Sequence, residues 1–228
     1  MTDAVVAPDV VPTILLPMAD PQALVLAVQL VKSGQVVALP TDTVYGVACD
    51  PWSEEAIARL FWVKRRPVLL AIPVLVSSVS DVARVASRLP DGFEALAEHF
   101  WPGALTVIVP RHGRVPAILG AGGDTVAVRL PAHRWAQTLI SAVGGALAAT
   151  SANISGHPAL TDAQQVQGAL GGRVSLIVDG GVRAGGVAST IVDLTSRPPR
   201  MLRTGALAYE ALRQVLPDLA PGEGSSRV

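Results

Sequence analysis

The sequence has a single cysteine, Cys49, which excludes an internal disulfide framework and leaves no cysteine pair for a structural zinc site. No apolar run approaches the roughly 20 residues that a membrane helix needs; the richest run, residues 68–79, is broken by Pro73 and two serines. Residues 1–12 show no basic segment followed by an apolar core, so the sequence predicts no signal peptide. We therefore expect a soluble, cytoplasmic protein without a membrane partner.

Charge is also scarce. Only 16% of the residues are charged, and 18 basic side chains balance 18 acidic ones. This net charge of zero argues against nucleic-acid binding that depends on global charge. The only lysines are Lys32 and Lys64, and the other basic residues are arginines.

Several common catalytic motifs are absent as well. The sequence contains no Walker A loop, no G-x-G-x-x-G fingerprint and no G-x-S-x-G elbow before a helix. The four histidines are scattered without metal-ligand spacing, and Cys49 stands in an apolar context typical of a core residue rather than of a nucleophile. Without these motifs, we expect any catalysis to depend mainly on the binding and positioning of substrates.

Half of the residues are hydrophobic, and the 228 residues fit one large domain. We expect flexible segments at 1–12 and 220–228 around one domain at 13–219. Asp20-Pro21 and Ser53 are typical helix starts. Predicted helices cover 22–33, 54–64 and parts of 80–88, 93–100, 133–142, 162–170 and 207–216; predicted strands cover 36–39, 72–76, 105–109, 125–130, 146–150, 175–178 and 190–194. Apolar strands that alternate with helices indicate an α/β sheet covered on both faces.

Polar residues cluster where the predicted strands end, and open α/β sheets bind ligands at such ends. The segment 40–46, PTDTVYG, offers hydroxyls and a small glycine to a ligand, but it also fits an ordinary turn. The same two interpretations apply to Ser151 and Asn153 in the segment 150–156. Ser189 opens a further strand, and Arg203 follows it along the chain.

Cations accompany these hydroxyls. Lys64 and Arg66 end a predicted helix, where they either interact with its dipole or hold phosphate oxygens. Arg129 ends an apolar strand and needs a partner, either a structural carboxylate or an anionic ligand. Together the residues suit a site that binds a polyphosphate and a small carboxylate, and that catalyses by positioning and charge stabilisation.

The order of these segments resembles the YrdC family, the threonylcarbamoyl-AMP synthases, from about residue 23 to residue 216. The resemblance rests on the segments 40–46, 101–106, 125–129, 151–156 and 189–193, on the Lys-x-Arg of Lys64 and Arg66, and on Arg203 before Gly205. It implies an α/β fold with a YrdC-like twisted mixed sheet, flanked by helices, and an open ligand-binding cleft.

The resemblance also implies an activity: condensation of L-threonine, bicarbonate and ATP to threonylcarbamoyl-AMP and pyrophosphate, for the t6A37 modification of tRNA through transfer partner proteins. By analogy Lys64, Arg66, Ser151 and Asn153 would be catalytic. ATP would be bound by Lys64, Arg66, Thr125, Asn153, Thr161 and Arg203, and threonine by Thr43, Arg129, Ser151 and Ser189. We expect Mg²⁺ to arrive with ATP, since the sequence shows no carboxylate cage for it.

Two departures from the family pattern stand out. Leu70 occupies a position where the family usually has Lys or Asn, so a polar contact to phosphate is lost or made elsewhere. The chain also ends soon after the catalytic-type domain, which implies the short form without an extra C-terminal domain.

Other functions remain open at this point. The same domain type occurs in carbamoyltransferases that mature hydrogenases, although those proteins carry zinc-finger and acylphosphatase-like modules. A non-catalytic homologue that binds nucleotide or RNA is the alternative from a different class. Neutral charge and the lack of a basic helix count against RNA binding.

Overall fold

A computed structural model describes residues 11–184 and 186–222. The predicted flexible termini fall mostly outside these residues, so the predicted domain boundaries stay predictions. The described part contains ten strands and six α-helices, listed here in chain order: β1 (Ile14–Pro17), α1 (Pro21–Lys32), β2 (Val37–Pro40), β3 (Tyr45–Cys49), α2 (Glu54–Lys64), β4 (Val74–Val76), α3 (Phe93–Phe100), β5 (Leu105–Pro110), β6 (Thr125–Arg129), α4 (Arg134–Ala142), β7 (Ala146–Ser151), α5 (Ala163–Leu170), β8 (Leu176–Asp179), β9 (Thr190–Asp193), β10 (Arg200–Arg203) and α6 (Tyr209–Val215).

All ten described strands join one sheet in the order β1-β8-β2-β3-β7-β4-β6-β5-β9-β10. Four neighbouring pairs are parallel, namely β1/β8, β2/β8, β4/β6 and β5/β9. The other five are antiparallel. The predicted mixed α/β sheet flanked by helices is therefore confirmed.

The helices begin at the predicted capping residues. Asp20 Oδ1 accepts a hydrogen bond from the Gln22 amide at 2.8 Å, and Pro21 takes the first helical position of α1. Ser53 Oγ accepts from the Ala56 amide at 3.2 Å to start α2. Each cap satisfies a backbone donor that has no partner within its helix.

Two apolar layers cover the two faces of the sheet. On one face, α1 and α4 bury Ala23, Ala27, Val31, Ala136, Leu139 and Ile140. On the other face, α2, α3, α5 and α6 contribute a larger core that includes Ile57, Leu60, Phe93, Leu96, Val166 and Leu212. Because both faces are covered, the sheet leaves its strand ends and the connecting loops for ligands.

Three strands were not predicted. β3 is the most consequential: the segment expected to be a loop after β2 turns at residues 41–44 and continues as β3, antiparallel to both β2 and β7. Gly46 therefore lies in the sheet, where an added Cβ would stand 3.4 Å from the Thr150 carbonyl oxygen. Gly46 thus permits a close approach of β3 to β7, whereas the sequence suggested a close approach of a ligand.

The other two unpredicted strands lie at the edges of the sheet. β1 pairs with β8 alone and β10 with β9 alone. β10 reads Arg-Met-Leu-Arg and buries only Met201, so it lacks the apolar run by which the central strands were recognised. The helix expected within 80–88 is also shorter, a 3-10 turn at Ser80–Arg84.

None of the helices within the described ranges has the length and apolar character needed to cross a membrane.

Candidate active site

The turn between β2 and β3 carries an ordered chain of hydroxyls. Thr41 Oγ1 donates to the Val44 carbonyl at 2.6 Å, accepts from the Thr43 and Val44 amides at 3.2 and 3.3 Å, and lies 3.0 Å from Thr43 Oγ1. Thr43 Oγ1 accepts in turn from Nη1 of Arg129 at 3.0 Å. The Thr43 hydroxyl therefore keeps one lone pair that it can offer to a ligand.

Arg129, at the end of β6, is held from three sides. Its Nη2 donates to both carboxylate oxygens of Asp42 at 2.7 Å, and its Nε donates to the Gly103 carbonyl at 2.9 Å. Burial lowers the pKa of Arg129, and the Asp42 carboxylate opposes that shift. Of the two partners expected for this buried arginine, the structure supplies the structural carboxylate. Asp42 was missed as a site residue, although the need for a partner at Arg129 was the signal that could have found it.

Lys64 ends α2 and is 1% exposed. Its Nζ donates to the Ser151 carbonyl, to the Asn153 carbonyl at 2.9 Å and to Asn153 Oδ1 at 3.1 Å. All three partners are uncharged. Burial, with a smaller contribution from the neighbouring Arg66 cation, lowers the pKa of Lys64 to about 7.

Asn153 holds this lysine in place. Its Oδ1 accepts from Lys64 and from Ser151 Oγ, and its Nδ2 donates to the Ile154 and His157 carbonyls. An amide side chain has two donor and two acceptor positions, so protein groups already occupy all four. Asn153 was predicted to contact ATP; this geometry shows it orienting Lys64, and the ATP contact stays a prediction.

Arg66 and Arg203 continue the line of cations. Arg66 donates from Nη2 to the Ala71 carbonyl at 2.8 Å and from Nε to the Leu70 carbonyl at 3.3 Å. Arg203 donates from Nε at 3.0 Å and from Nη2 at 2.8 Å to the Ser189 carbonyl. Its Nη2 also reaches the Ser189 hydroxyl at 3.1 Å. The unusual Leu70 thus contributes its backbone oxygen to the orientation of Arg66.

The causes of the pKa shifts show which cations of the site are neighbours. Burial lowers the pKa of Arg66 and the Arg203 cation adds to the shift, while burial lowers the pKa of Arg203 and Arg129 adds to it. We call Lys64, Arg66, Arg203 and Arg129 the cationic row. Among the described residues its only carboxylate partner is Asp42. Buried like charges with so little compensation are typical of a site for an anion.

Two residues that were predicted to bind ATP, Thr125 and Thr161, take no part in the side-chain contacts described above. Thr125 begins β6, four residues before Arg129 and about 13 Å away along the strand at 3.3 Å per residue. The Thr161 carbonyl accepts from the Arg183 amide at 2.8 Å. In the same connection between β8 and β9, the Gly186 amide donates to the Thr43 carbonyl at 3.2 Å. This connection therefore contacts residues predicted for both subsites, while the roles of Thr125 and Thr161 stay predictions.

Other candidate groups play structural parts. Cys49 is fully buried and burial raises the pKa of its thiol, as expected for a core residue. His133 Nδ1 accepts from the Ala136 amide at 3.3 Å and caps α4. No group of three His, Cys, Asp or Glu side chains in the described ranges is placed to hold a metal ion.

The fold and the site together define an α/β protein with a mixed sheet and a row of neighbouring cations, an arrangement that favours an anionic ligand. A family model for Sua5, YciO and YrdC proteins, described as "Telomere recombination", matches residues 29–205. The chain belongs to this Sua5/YciO/YrdC family. The resemblance inferred from the sequence is thereby confirmed.

Individual relatives agree with this assignment. A threonylcarbamoyl-AMP synthase of Pyrococcus abyssi is 40% identical over 85% of this chain and 57% of its own length. A Mycobacterium tuberculosis relative is 40% identical over 87% of this chain and 93% of its own length. The crystal structure of P. abyssi Sua5 complexed with L-threonine matches with a TM-score of 0.87 and 36% identity, covering 95% of this chain and 64% of that one. The chain thus spans little more than half of the archaeal relative.

The lowered pKa of Lys64 predicts that the affinity of this site for a phosphate-bearing ligand, with ATP as the probe, depends on pH. Above pH 7 the free site holds Lys64 mainly uncharged, whereas a bound phosphate favours the charged form, so binding must take up a proton. We expect ATP affinity to fall with rising pH above 7, approaching about tenfold per pH unit. Calorimetric titrations in two buffers of different ionisation enthalpy measure the proton uptake.

The control for this prediction is Lys64→Met. Phosphate itself titrates near pH 6, so the variant reports the proton uptake that belongs to ATP alone. The same uptake in variant and wild type at pH 8 would contradict a titrating Lys64.

Proposed function

We propose that the protein is an L-threonylcarbamoyladenylate synthase, a nucleotidyltransferase that uses L-threonine, bicarbonate and ATP. In the reaction, the threonine amine and bicarbonate combine to a carbamate with loss of water. A carbamate oxygen then attacks the α-phosphorus, a P–O bond forms, and pyrophosphate leaves. The names of the relatives support this assignment, since several are threonylcarbamoyl-AMP synthases.

The observation that carries the proposal is the cationic row. Four buried or half-buried cations face one another with one carboxylate among them, so the site gains most by binding an anion of high charge. A triphosphate has that charge. Lys64 and Arg66 lie at one end of the row, which suits them to phosphate oxygens, while Arg129 lies at the end that carries Asp42 and Thr43.

The threonine subsite follows from the other end of the row. Arg129 and Arg203 offer N–H donors there, and Ser189 and Thr43 offer hydroxyl oxygens. These groups suit a carboxylate beside a hydroxyl or an ammonium. The complex of P. abyssi Sua5 with L-threonine supports an amino acid as the ligand.

The chemistry requires stabilisation of charge more than proton transfer. As the carbamate attacks, negative charge grows on the phosphate oxygens, and donors that are already in place stabilise it without reorganisation. Lys64 is held for this by Asn153 and Ser151, and Arg66 by the carbonyls of Leu70 and Ala71. Mg²⁺ would enter as the counter-ion of ATP, as part of the substrate.

The product would serve the t6A37 modification of tRNA, with transfer partner proteins carrying the threonylcarbamoyl group onward. This step and a cytoplasmic location are part of the proposal. The alternative is a homologue that binds nucleotide or RNA without turnover.

Pyrophosphate release tests the proposal directly. We expect purified protein to release pyrophosphate from ATP only when L-threonine and bicarbonate are both present. ATP binding without release would favour the non-catalytic homologue, and Leu70→Asn would be the first reversion to examine. RNA binding with a steep salt dependence and no ATP binding would favour the RNA-binding alternative.

A further inference from the structure

Asp42 has the most specific environment among the groups that the proposed reaction does not use. Its two carboxylate oxygens each lie 2.7 Å from Nη2 of Arg129. The two side chains are 15% and 8% exposed, so water screens the pair poorly. Of the four ion pairs in the described part of the chain, this is the most buried and, with both oxygens engaged, the shortest.

A count of donors shows what the pair does to Arg129. A guanidinium has five N–H groups. Both Asp42 oxygens accept from Nη2, the Gly103 carbonyl takes the hydrogen on Nε, and Thr43 takes one of the two hydrogens on Nη1. Within the described residues, one Nη1 hydrogen is left without a protein acceptor.

The remaining hydrogen lies beside the one open acceptor of the neighbouring hydroxyl. The Thr43 oxygen accepts from Arg129 at one of its two lone pairs, so it keeps the other. One free donor and one free acceptor, on adjacent rigid groups, form a directional site for a small polar ligand. Together with the Gly103 carbonyl and Thr43, Asp42 fixes the direction of the free N–H, and among the described residues it is the only charged group that does so.

We propose that Asp42 is a positioning residue of the amino-acid subsite: it holds Arg129 at Nη2 through both carboxylate oxygens and so directs the free Nη1 hydrogen, beside the Thr43 lone pair, at the carboxylate of the amino acid. This inference rests on the proposed function. It assigns amino-acid binding and ATP binding to different parts of the cationic row, because Asp42 contacts Arg129 and no other member of the row. Its loss should therefore affect the amino acid and leave ATP binding intact.

The test compares the substrate dependence of pyrophosphate release in the wild type and in Asp42→Asn. The asparagine keeps the shape but loses the charge and one of the two acceptor oxygens, so it holds Arg129 at Nη2 less firmly. We expect KM for L-threonine to rise at least tenfold, KM for ATP to stay within twofold, and kcat at saturating threonine to stay within threefold. The matched control is Asp91→Asn, because Asp91 forms only an exposed 3.7 Å pair with Arg197; it should change neither constant.

A double variant tests whether Asp42 acts through Arg129. In an Arg129→Gln background, Asp42→Asn should add less than threefold to KM for L-threonine, since the group it positions is already gone. A full tenfold effect in that background would overturn the positioning role. Equal rises in both KM values for Asp42→Asn alone would also overturn it, since they indicate general disruption of the fold.

Failure of the proposal and failure of the proposed function give different results. A wild type without threonine-dependent release contradicts the function itself. A wild type with such release, and an Asp42→Asn variant with unchanged KM for L-threonine, contradicts only the role of Asp42. If Asp42→Asn does not fold, Asp42→Glu keeps the charge and moves the carboxylate by one methylene; it should still raise KM for L-threonine selectively, and an unchanged value overturns the proposal.

Discussion

Lys64→Met and Arg66→Ala should each reduce turnover by about 10²–10³-fold, the usual loss when one preorganised group that stabilises the developing negative charge is removed. Lys64 reaches the site with its Nζ held by three carbonyl-type acceptors, so its position is fixed before the substrate arrives and a bound phosphate favours its charged form. Methionine has a similar length and no charge. Arg66 is held by two carbonyls in the same way. Pyrophosphate release at saturating substrates measures the loss.

The chain offers matched controls for both substitutions. Lys32 is the only other lysine and lies exposed in the last turn of α1, so Lys32→Met tests the loss of a lysine as such. Arg65→Ala removes an exposed arginine next to Arg66. Circular dichroism and a melting curve show whether each variant is folded. Folded Lys64→Met or Arg66→Ala protein with wild-type release would contradict the roles assigned to these residues.

The sequence was sufficient for the elements with strong local signals. Asp20-Pro21 and Ser53 start helices because their caps are local, and the central strands are apolar throughout, so both kinds of element were predicted close to their observed bounds. β3 was missed because its polar start, Thr41 to Thr43, and Gly46 are typical of a loop. Its strand character depends on pairing with β7, which is distant in sequence.

In the site, too, some features were predictable from the sequence and others depend on contacts between distant segments. Resemblance and residue type placed Lys64, Asn153, Ser189 and Arg203 at strand and helix ends, and the structure brings them to neighbouring positions along one row. The partners of each side chain were not predictable in this way. That Asn153 has no free hydrogen-bonding position, and that Asp42 occupies Arg129, depend on contacts between segments more than 80 residues apart.

Arg129→Met gives the second large effect, on substrate use. We expect it to raise KM for L-threonine far more than KM for ATP, because Arg129 lies at the amino-acid end of the cationic row. Steady-state pyrophosphate release with each substrate varied in turn measures the two constants. Equal rises would show that Arg129 does not pair with the threonine carboxylate.

The same substitution should also lower the free energy of unfolding, by about 3–5 kcal/mol, since it leaves a nearly buried carboxylate without its cation. Asp42 has no other cationic partner among the described residues, so its charge becomes uncompensated. Removing that charge as well, in the double variant Asp42→Ala with Arg129→Met, should restore most of the lost stability. Urea unfolding of the wild type, both single variants and the double variant gives the coupling energy. Additive losses would mean that the pair contributes little to stability and that its tight geometry matters for binding the amino acid alone.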